Sequence, residues 1–304
     1  MSRSKSDQAL ARGILGLLAS GEEYNGIRFT ESGLRVPAKI KLLGSSVKVE
    51  KGRKIGIRTA ILYLAPADSA PITRNGKQIN LCPFASPGCR AGCLGEHAGR
   101  MVQNGVRNSR HWKTALYYAH PELFARILTR ELKALQRRGK RDATPIAVRL
   151  DGTSDLGIAD RFRLPSKFPG IMWYDYTKVP SRVSGGDYRP NRHWTYSASE
   201  RPGSAQVAKL ALENGWSVAA IVSKLPTGAQ WDKLLATVAD STTPTTVIDG
   251  DETDVRFLDT PRPLFHASRL SGHVTSRARG ALVALSVKGG ASVRQKLGAM
   301  VFEV

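Results

Sequence analysis

Five short apolar runs punctuate the second half of this chain, and each ends in polar or charged residues. Pro145-Ile-Ala-Val-Arg-Leu150 runs into Asp151-Gly-Thr-Ser-Asp155, and Ile171-Met-Trp-Tyr174 into Asp175-Tyr-Thr-Lys178. His193-Trp-Thr-Tyr196 leads to Ser197-Ala-Ser-Glu200, Ser217-Val-Ala-Ala-Ile-Val222 to Ser223-Lys224, and Thr245-Thr-Val-Ile248 to Asp249-Gly-Asp251. Continuous apolar runs of this length suit strands covered on both faces, and polar groups at their ends suit a site at the strand C-termini. The pattern predicts an α/β fold, a partial parallel (β/α) barrel with a β-rich N-terminal extension. Residues 1–56 are expected to form that extension, a helix plus short strands. Residues 57–260 are expected to form the barrel-like core, with a cysteine loop over 80–100, and residues 261–304 a C-terminal extension.

Helices are expected over 8–20, 103–118, 121–138 and 203–214. In the third, Phe124, Ile127, Leu128, Leu132 and Leu135 form one apolar stripe. Short β-like pieces are expected at 27–30, 34–36 and 46–49, and a longer buried strand at 57–64. The turn-rich stretch 68–78 reads as a connection. No apolar run reaches the roughly 20 residues needed to cross a bilayer, so no membrane association is expected.

All three cysteines fall in one loop: Cys82, Cys89 and Cys93, within Asn80-Leu-Cys-Pro-Phe-Ala-Ser-Pro-Gly-Cys-Arg-Ala-Gly-Cys93. Thiolates bunched on a Pro/Gly-bent loop suit one soft metal or one iron–sulfur cluster. A four-iron cluster (4Fe-4S) on three cysteines leaves one iron open, whereas zinc would need a fourth ligand, for which His97 is at hand. The bland alternatives are buried reduced thiols or one disulfide with a cysteine left over. Clustered cysteines without distributed pairs fit the reducing cytoplasm.

The chain carries 46 Lys+Arg against 25 Asp+Glu, a net charge of +21. Residues 1–80 hold +8 of the excess and residues 81–150 another +9. Such an excess makes a nucleic acid the expected partner, because polyanion binding is driven by counterion release. Arg107, Arg110 and Lys113 recur at helical spacing, as do Arg126, Arg130, Lys133 and Arg137. Each set is either a phosphate-facing ridge, on DNA or RNA, or a solvated helix face.

A barrel would aim the strand-end groups at a common mouth. The strand-end groups are Arg149, Asp151, Thr153, Ser154, Asp155, Asp175, Tyr176, Thr177, Lys178, Ser197, Ser199, Glu200, Lys224, Asp249 and Asp251. The cofactor-binding candidates among them are Arg149, Asp151, Ser154, Asp155, Asp175, Lys178, Ser199 and Glu200; any one alone also suits a turn or cap. No P-loop, no dinucleotide-binding glycine motif and no His-Glu-x-x-His is present.

Several stretches together resemble the Gene product 88 family of phage and plasmid proteins. They are Arg58-Thr-Ala-Ile-Leu-Tyr-Leu-Ala-Pro-Ala67, the cysteine loop with Ala98-Gly-Arg100, Arg149-Leu-Asp-Gly-Thr-Ser-Asp155 and Phe168-Pro-Gly-Ile-Met-Trp-Tyr-Asp-Tyr-Thr-Lys178. The resemblance covers about residues 40–260 and implies a mobile-element origin. A weaker likeness is to radical S-adenosylmethionine proteins. It implies that Cys82, Cys89 and Cys93 ligate a 4Fe-4S cluster whose open iron chelates S-adenosylmethionine. Asp155 or Glu200 would then handle the cofactor's polar ends, and Lys178 or Arg149 its carboxylate. Those proteins usually space their cysteines three and then two residues apart, whereas here the spacing is six and then three. Two functions are thus expected to compete: an iron–sulfur enzyme acting on nucleic acid, and a non-enzymatic nucleic-acid-binding protein stapled by a structural metal. A phage-encoded protein that binds a host factor is a third.

Overall fold

The computed structural model describes residues 3–44, 55–97, 99–185, 189–242, 245–252, 254–259, 280–287 and 295–303. The β-like piece expected at 46–49 lies outside them. Helix α1 (Arg3–Ala19) buries Ala11, Ile14, Leu15 and Leu18, the i, i+3, i+4, i+7 stripe of an amphipathic helix. Strands β1 (Glu23–Tyr24) and β2 (Ile27–Phe29) follow, then β3 (Arg58–Ile61), β4 (Ile72–Arg74) and β5 (Lys77–Gln78). The connection expected at 68–78 is therefore a hairpin turning at Asn75-Gly76, both at positive φ (49° and 74°), which glycine and asparagine tolerate best. It joins β1 and β2 in a small antiparallel sheet of order β1-β2-β4-β5.

The cysteine loop carries two short helices, α2 (Pro87–Ala91) and α3 (Leu94–His97). Then come α4 (Asn104–Ala119) and α5 (Pro121–Arg141), close to their expected bounds. The stripe of α5 buries Phe124, Ile127, Leu128 and Leu132, each contributing about 1.5–3 kcal/mol. The remaining elements are β6 (Ile146–Arg149), α6 (Ile158–Arg161), α7 (Leu164–Lys167), β7 (Ile171–Thr177), α8 (Ser181–Ser184) and β8 (Arg192–Ser197). They continue with α9 (Ser204–Glu213), β9 (Ser217–Val222), α10 (Gln230–Ala239), β10 (Thr246–Asp249), β11 (Ala281–Ser286) and β12 (Val301–Phe302).

The large sheet has eight strands, in the order β10-β11-β9-β8-β7-β6-β3, with β12 paired to β9. Each of these pairs is parallel. From β3 to β9 the spatial order follows the chain order. Right-handed crossovers then put the helices on one face. Ile146, Val148, Ile171 and Trp173 accordingly pack with α1, α4 and α5, while Trp194, Tyr196, Val218 and Ala220 pack with α9 and α10. The alternate residues Ala147, Met172 and Tyr174 face the other way, onto Val255 and Phe257.

The expectation of an α/β fold with a parallel sheet holds, but among the described residues the sheet is open. Its end strands, β3 and β10, are not paired with each other, so it is not a closed barrel. Two strands of this sheet, β11 and β12, come from the segment expected as a C-terminal extension. β8 pairs with β9 only along Ser217–Ala219, while β11 holds the opposite edge from Val218 to Val222. β12 therefore takes the edge that β8 leaves, pairing with Ile221 and Val222.

Candidate functional site

The cysteine loop is folded against the C-terminal ends of β3, β6, β7 and β8. Beyond β3 the chain runs to Ala67, whose N–H donates to Cys82 Sγ (3.3 Å) and whose carbonyl accepts from Leu81 N–H (2.7 Å). The Cys82 thiol lies 3.8 Å from the Thr153 carbonyl oxygen, in the turn after β6. Ser86 caps α2 by accepting from Cys89 N–H (3.2 Å), and Pro87 begins the helix, where its missing N–H costs nothing. Glu200, beyond β8, accepts from the Gly88 N–H (2.7 Å). Burial opposes its charge, but the Gly88 and Ser86 hydrogen bonds and nearby Lys178 hold its pKa below the usual value.

The three thiols are free, and each is partly shielded from solvent. Burial pushes Cys82 up to about 12, helped by the charges of Asp155, Cys89 and Cys93. Burial likewise raises Cys93 to about 11, with Cys89 adding to the shift, and raises Cys89 itself. The sulfurs are thus close enough to oppose one another's ionisation, a set that a bound cation would relieve. Among the described residues, no group of three or more His, Cys, Asp or Glu side chains is placed to hold a metal ion. His97 is exposed at the end of α3.

Cys89 and Cys93 line a cavity of about 270 Å3 on the face of the sheet opposite the helices. Its far wall is Ile221, Leu285, Leu297 and Met300. Its polar groups are Arg149, Tyr176, Ser197, Asp251, Asp254 and Ser286. Arg149 pairs with Asp254 (3.2 Å), and its guanidinium lies 4.6 Å from the centre of the Tyr176 ring. Residues 295–303 close over the cysteine loop. A Cβ on Gly88 would stand 2.6 Å from the Leu297 carbonyl oxygen, and one on Gly92 would stand 2.4 Å from the Leu297 side chain. Only glycines permit that approach.

Of the expected strand-end groups, Arg149, Tyr176, Ser197 and Asp251 line this cavity. Lys178 is buried beside it, donating to Ser197 O and Oγ (3.0 and 2.9 Å). Burial lowers its pKa, against the opposing influence of Cys89, Glu200, Asp155 and Cys82. Asp155 accepts from Thr177 Oγ1 (2.9 Å), Lys178 N–H (2.8 Å) and the Arg182 guanidinium. Burial nevertheless raises its pKa. Asp151, Ser154 and Asp175 do not line the cavity, and their polar atoms are engaged in building the strand ends. Asp151 accepts from Ser154 Oγ (2.7 Å), Leu156 N–H (2.9 Å) and Ile158 N–H (3.0 Å). Asp175 accepts from Asp151 N–H (2.8 Å) and from Arg192 (3.2 Å), on the helix-covered side of β7. Ser199 is buried where the chain enters α9, its N–H bonded to Ser204 Oγ (3.0 Å). Asp254, Ser286, Leu297 and Met300 were not anticipated. The acidic stretch Asp249–Asp254, unusual in so basic a chain, was the available signal.

The basic residues divide in the same way. Arg110 and Lys113 do not form an exposed ridge. Arg110 is buried against Glu96 (3.0 Å) and Met101 O (3.0 Å), and Lys113 is buried beside the Trp112 ring. Arg110 is turned toward the cysteine loop, through Glu96 and Met101, and Lys113 toward Glu131 of α5. Arg107 is half-buried. On α5, Arg126 and Arg130 both pair with Asp7, while Arg126, Lys133 and Arg137 are exposed.

Residues 40–283 match the family model described as Gene product 88. The chain belongs to the Gene product 88 family. The matched span begins before β3 and ends inside β11, so it holds all three cysteines and the strand ends around them. No curated protein and no solved structure matches the chain. The resemblance to the Gene product 88 family is thus established; that to radical S-adenosylmethionine proteins finds no support in these comparisons. Among the described residues, no helix is long and apolar enough to cross a membrane.

Proposed function

We propose that this Gene product 88 protein is a phage- or plasmid-type iron–sulfur protein that acts on or binds nucleic acid. Cys82, Cys89 and Cys93 would hold a 4Fe-4S cluster, and the adjoining cavity would take a small polar ligand of the S-adenosylmethionine kind. The observation that carries the reading is the placement of Cys89 and Cys93 on one wall of a cavity at the strand C-termini. Cys82 lies within electrostatic reach of both.

Three free cysteines suit a cluster with one open iron, whereas a structural zinc would need a fourth ligand. A cluster spreads its irons and accepts thiolates further apart. When bound, it would supply one-electron chemistry and one iron open to a chelating ligand. Arg149, oriented by Asp254 and Tyr176, offers a cation to a ligand carboxylate. Asp251 is held by Ser286 Oγ and the Ser286 N–H, and offers an acceptor to ligand hydroxyl or amino groups. Ile221, Leu285, Leu297 and Met300 exclude water from the far side. Lys178 offsets the negative charge gathered by three thiolates and Glu200. The sequential parallel strands facing this cavity support a partial-barrel reading of the sheet, and the +21 charge supports the nucleic-acid partner.

Anaerobic purification tests the centre. About four irons and matching sulfide per chain, with the broad visible absorption of a cluster, are expected. Cys89→Ala should abolish them. Colourless protein holding one zinc per chain would instead leave only the nucleic-acid-binding role. The reduced protein should form 5′-deoxyadenosine from S-adenosylmethionine, and failure to do so would remove the radical chemistry.

A further inference from the structure

A second concavity lies on the other side of the molecule, where α5 faces the segment leading to Gly44. It has a volume of about 620 Å3, and its lining includes Lys39, Lys41, Arg58, Arg130 and Arg138. We propose that this groove binds the phosphodiester backbone of a single nucleic-acid strand. The inference rests on the nucleic-acid reading above for its ligand class, but on nothing at the cysteine centre.

The first argument is charge. Among the described residues, each acid near the groove is already engaged. Asp7 is paired with Arg126 and Arg130, and Asp142 with Arg58 and Arg141. Glu131, inside the groove, accepts from the Leu42 and Leu43 N–H groups at 2.8 Å each. Lys39, Lys41 and Arg138 are exposed, and none forms an ion pair with a described residue. A surplus of about three cations therefore faces solvent along one concave wall. Such a surplus is unfavourable until a polyanion releases its counterions onto the bulk salt.

The second argument is shape. Arg130, Ala134 and Arg138 follow one another at i, i+4, i+8 along α5. At 1.5 Å per residue the two arginines stand about 12 Å apart along the helix axis. That is a row of charge, suited to an extended chain of phosphates rather than to one isolated anion. The floor is aliphatic, formed by Ile40, Leu43, Ala60 and Ile127. A single strand can lay its phosphates on the cations while its sugars meet this aliphatic floor, a contact that a base-paired duplex offers less readily. No aromatic side chain lines the groove, so base stacking contributes nothing there. Binding should therefore be tolerant of sequence and steeply dependent on salt.

The groove also differs in kind from the cysteine cavity. It opens at the edge strand β3, on the helix-covered side of the sheet, while Cys89 and Cys93 face the opposite side. An extended strand held along α5 would be bound independently of whatever occupies the cysteine cavity.

The test compares two triple variants of equal charge in the full-length protein. Lys39→Glu/Lys41→Glu/Arg138→Glu alters the groove. Lys209→Glu/Lys224→Glu/Lys233→Glu alters exposed lysines on α9, α10 and the β9 loop. Fluorescence anisotropy with a labelled 20-nucleotide oligothymidylate and its duplex with oligoadenylate gives affinity and salt slope. Circular dichroism confirms folding, and Lys39→Gln/Lys41→Gln/Arg138→Gln is the milder substitute should the groove variant misfold. The groove variant should bind the single strand at least tenfold more weakly, with a salt slope shallower by about 2, at roughly 0.7 per lost contact. The control should lose less than threefold. Equal losses in the two triple variants, or wild-type binding by the groove variant, would overturn the groove while leaving the nucleic-acid reading intact. Equal dependence of duplex binding on the groove would overturn its single-strand character. No binding by wild-type protein at 50 mM salt would remove both readings.

Discussion

Glu200 accepts a 2.7 Å hydrogen bond from the backbone N–H of Gly88, and so ties the chain beyond β8 to the first turn of the helix that presents Cys89. Those two residues are 112 positions apart in the chain. The cysteine loop therefore depends on a carboxylate carried beyond a central strand of the sheet. Glu200→Ala should cost about 1.5–3 kcal/mol in urea unfolding, the usual value of a hydrogen bond to a charged group. Glu200→Gln keeps an acceptor and should lose less than half as much. Equal stability of both variants and wild type would show the bond to be incidental.

The close approach of residues 295–303 to the loop makes Gly88 a sharp test of packing. Gly88→Ala places a methyl 2.6 Å from the Leu297 carbonyl oxygen. A loss of about 1–3 kcal/mol is expected, with faster reaction of Cys89 toward a thiol reagent as the covering segment lifts. Gly105→Ala, in α4 with nothing within 4 Å of the new Cβ, should instead be neutral or stabilising by about 0.5–1 kcal/mol. Similar behaviour of the two variants in thermal unfolding would contradict the packing account.

Beneath the helices, Arg192 is fully buried between Asp175 (3.2 Å) and Asp160 (3.0 Å), its guanidinium 3.5 Å from the Trp194 ring centre. Removing the cation strands a buried carboxylate. Arg192→Ala should therefore lose about 3–5 kcal/mol, measured by denaturant titration. The double variant Arg192→Ala/Asp175→Asn should recover part of that loss, since it removes the orphaned charge. No recovery would mean that the cost is packing alone.

His111 should contribute less to stability as the pH falls. Burial, with Arg110 and Arg107 close by, lowers its pKa from 6.5 to about 4. Its Nε2 is buried without a hydrogen-bond partner among the described residues. Between these two pH values the unfolded chain binds a proton that the folded chain refuses, so this contribution falls as pH drops from 6.5 toward 4. From pH 7 to pH 5 the His111 contribution should fall by about 2 kcal/mol, while Asp175 and Asp259, raised by burial to about 7, act in the opposite sense. His111→Phe keeps the contact with Phe29, so the gap between its stability and that of wild type should shift in its favour by that amount across the window. An unchanged gap would show that His111 makes no such contribution.

The sheet was readable where its strands are continuous apolar runs. Ser217–Val222 matches its expected bounds, and Arg192–Ser197 and Thr246–Asp249 differ by a residue at each end. Ala281–Ser286 has the same character, but it follows a long arginine-bearing stretch and so reads as part of an extension. The faces of helices were harder. Spacing alone puts Arg110 and Lys113 on one side of α4, and spacing cannot say what packs against that side. The strand-end carboxylates were legible as a group but not in role. Asp151 and Asp175 make bonds set by tertiary neighbours, and an Asp that shapes a turn looks in sequence like one that meets a ligand. The cysteine cavity needed the fold, because Arg149 and Asp254 are 105 residues apart.

The place where β12 slips in beside β9 has a bearing on how this protein is made. Cys89 and Cys93 are translated about 200 residues before Leu297 and Met300, which roof them; at about 5–20 residues per second the thiols wait on the order of ten to forty seconds without that cover. Any inorganic centre delivered during synthesis would meet an accessible loop, and the arrival of the last strand would then seal it in.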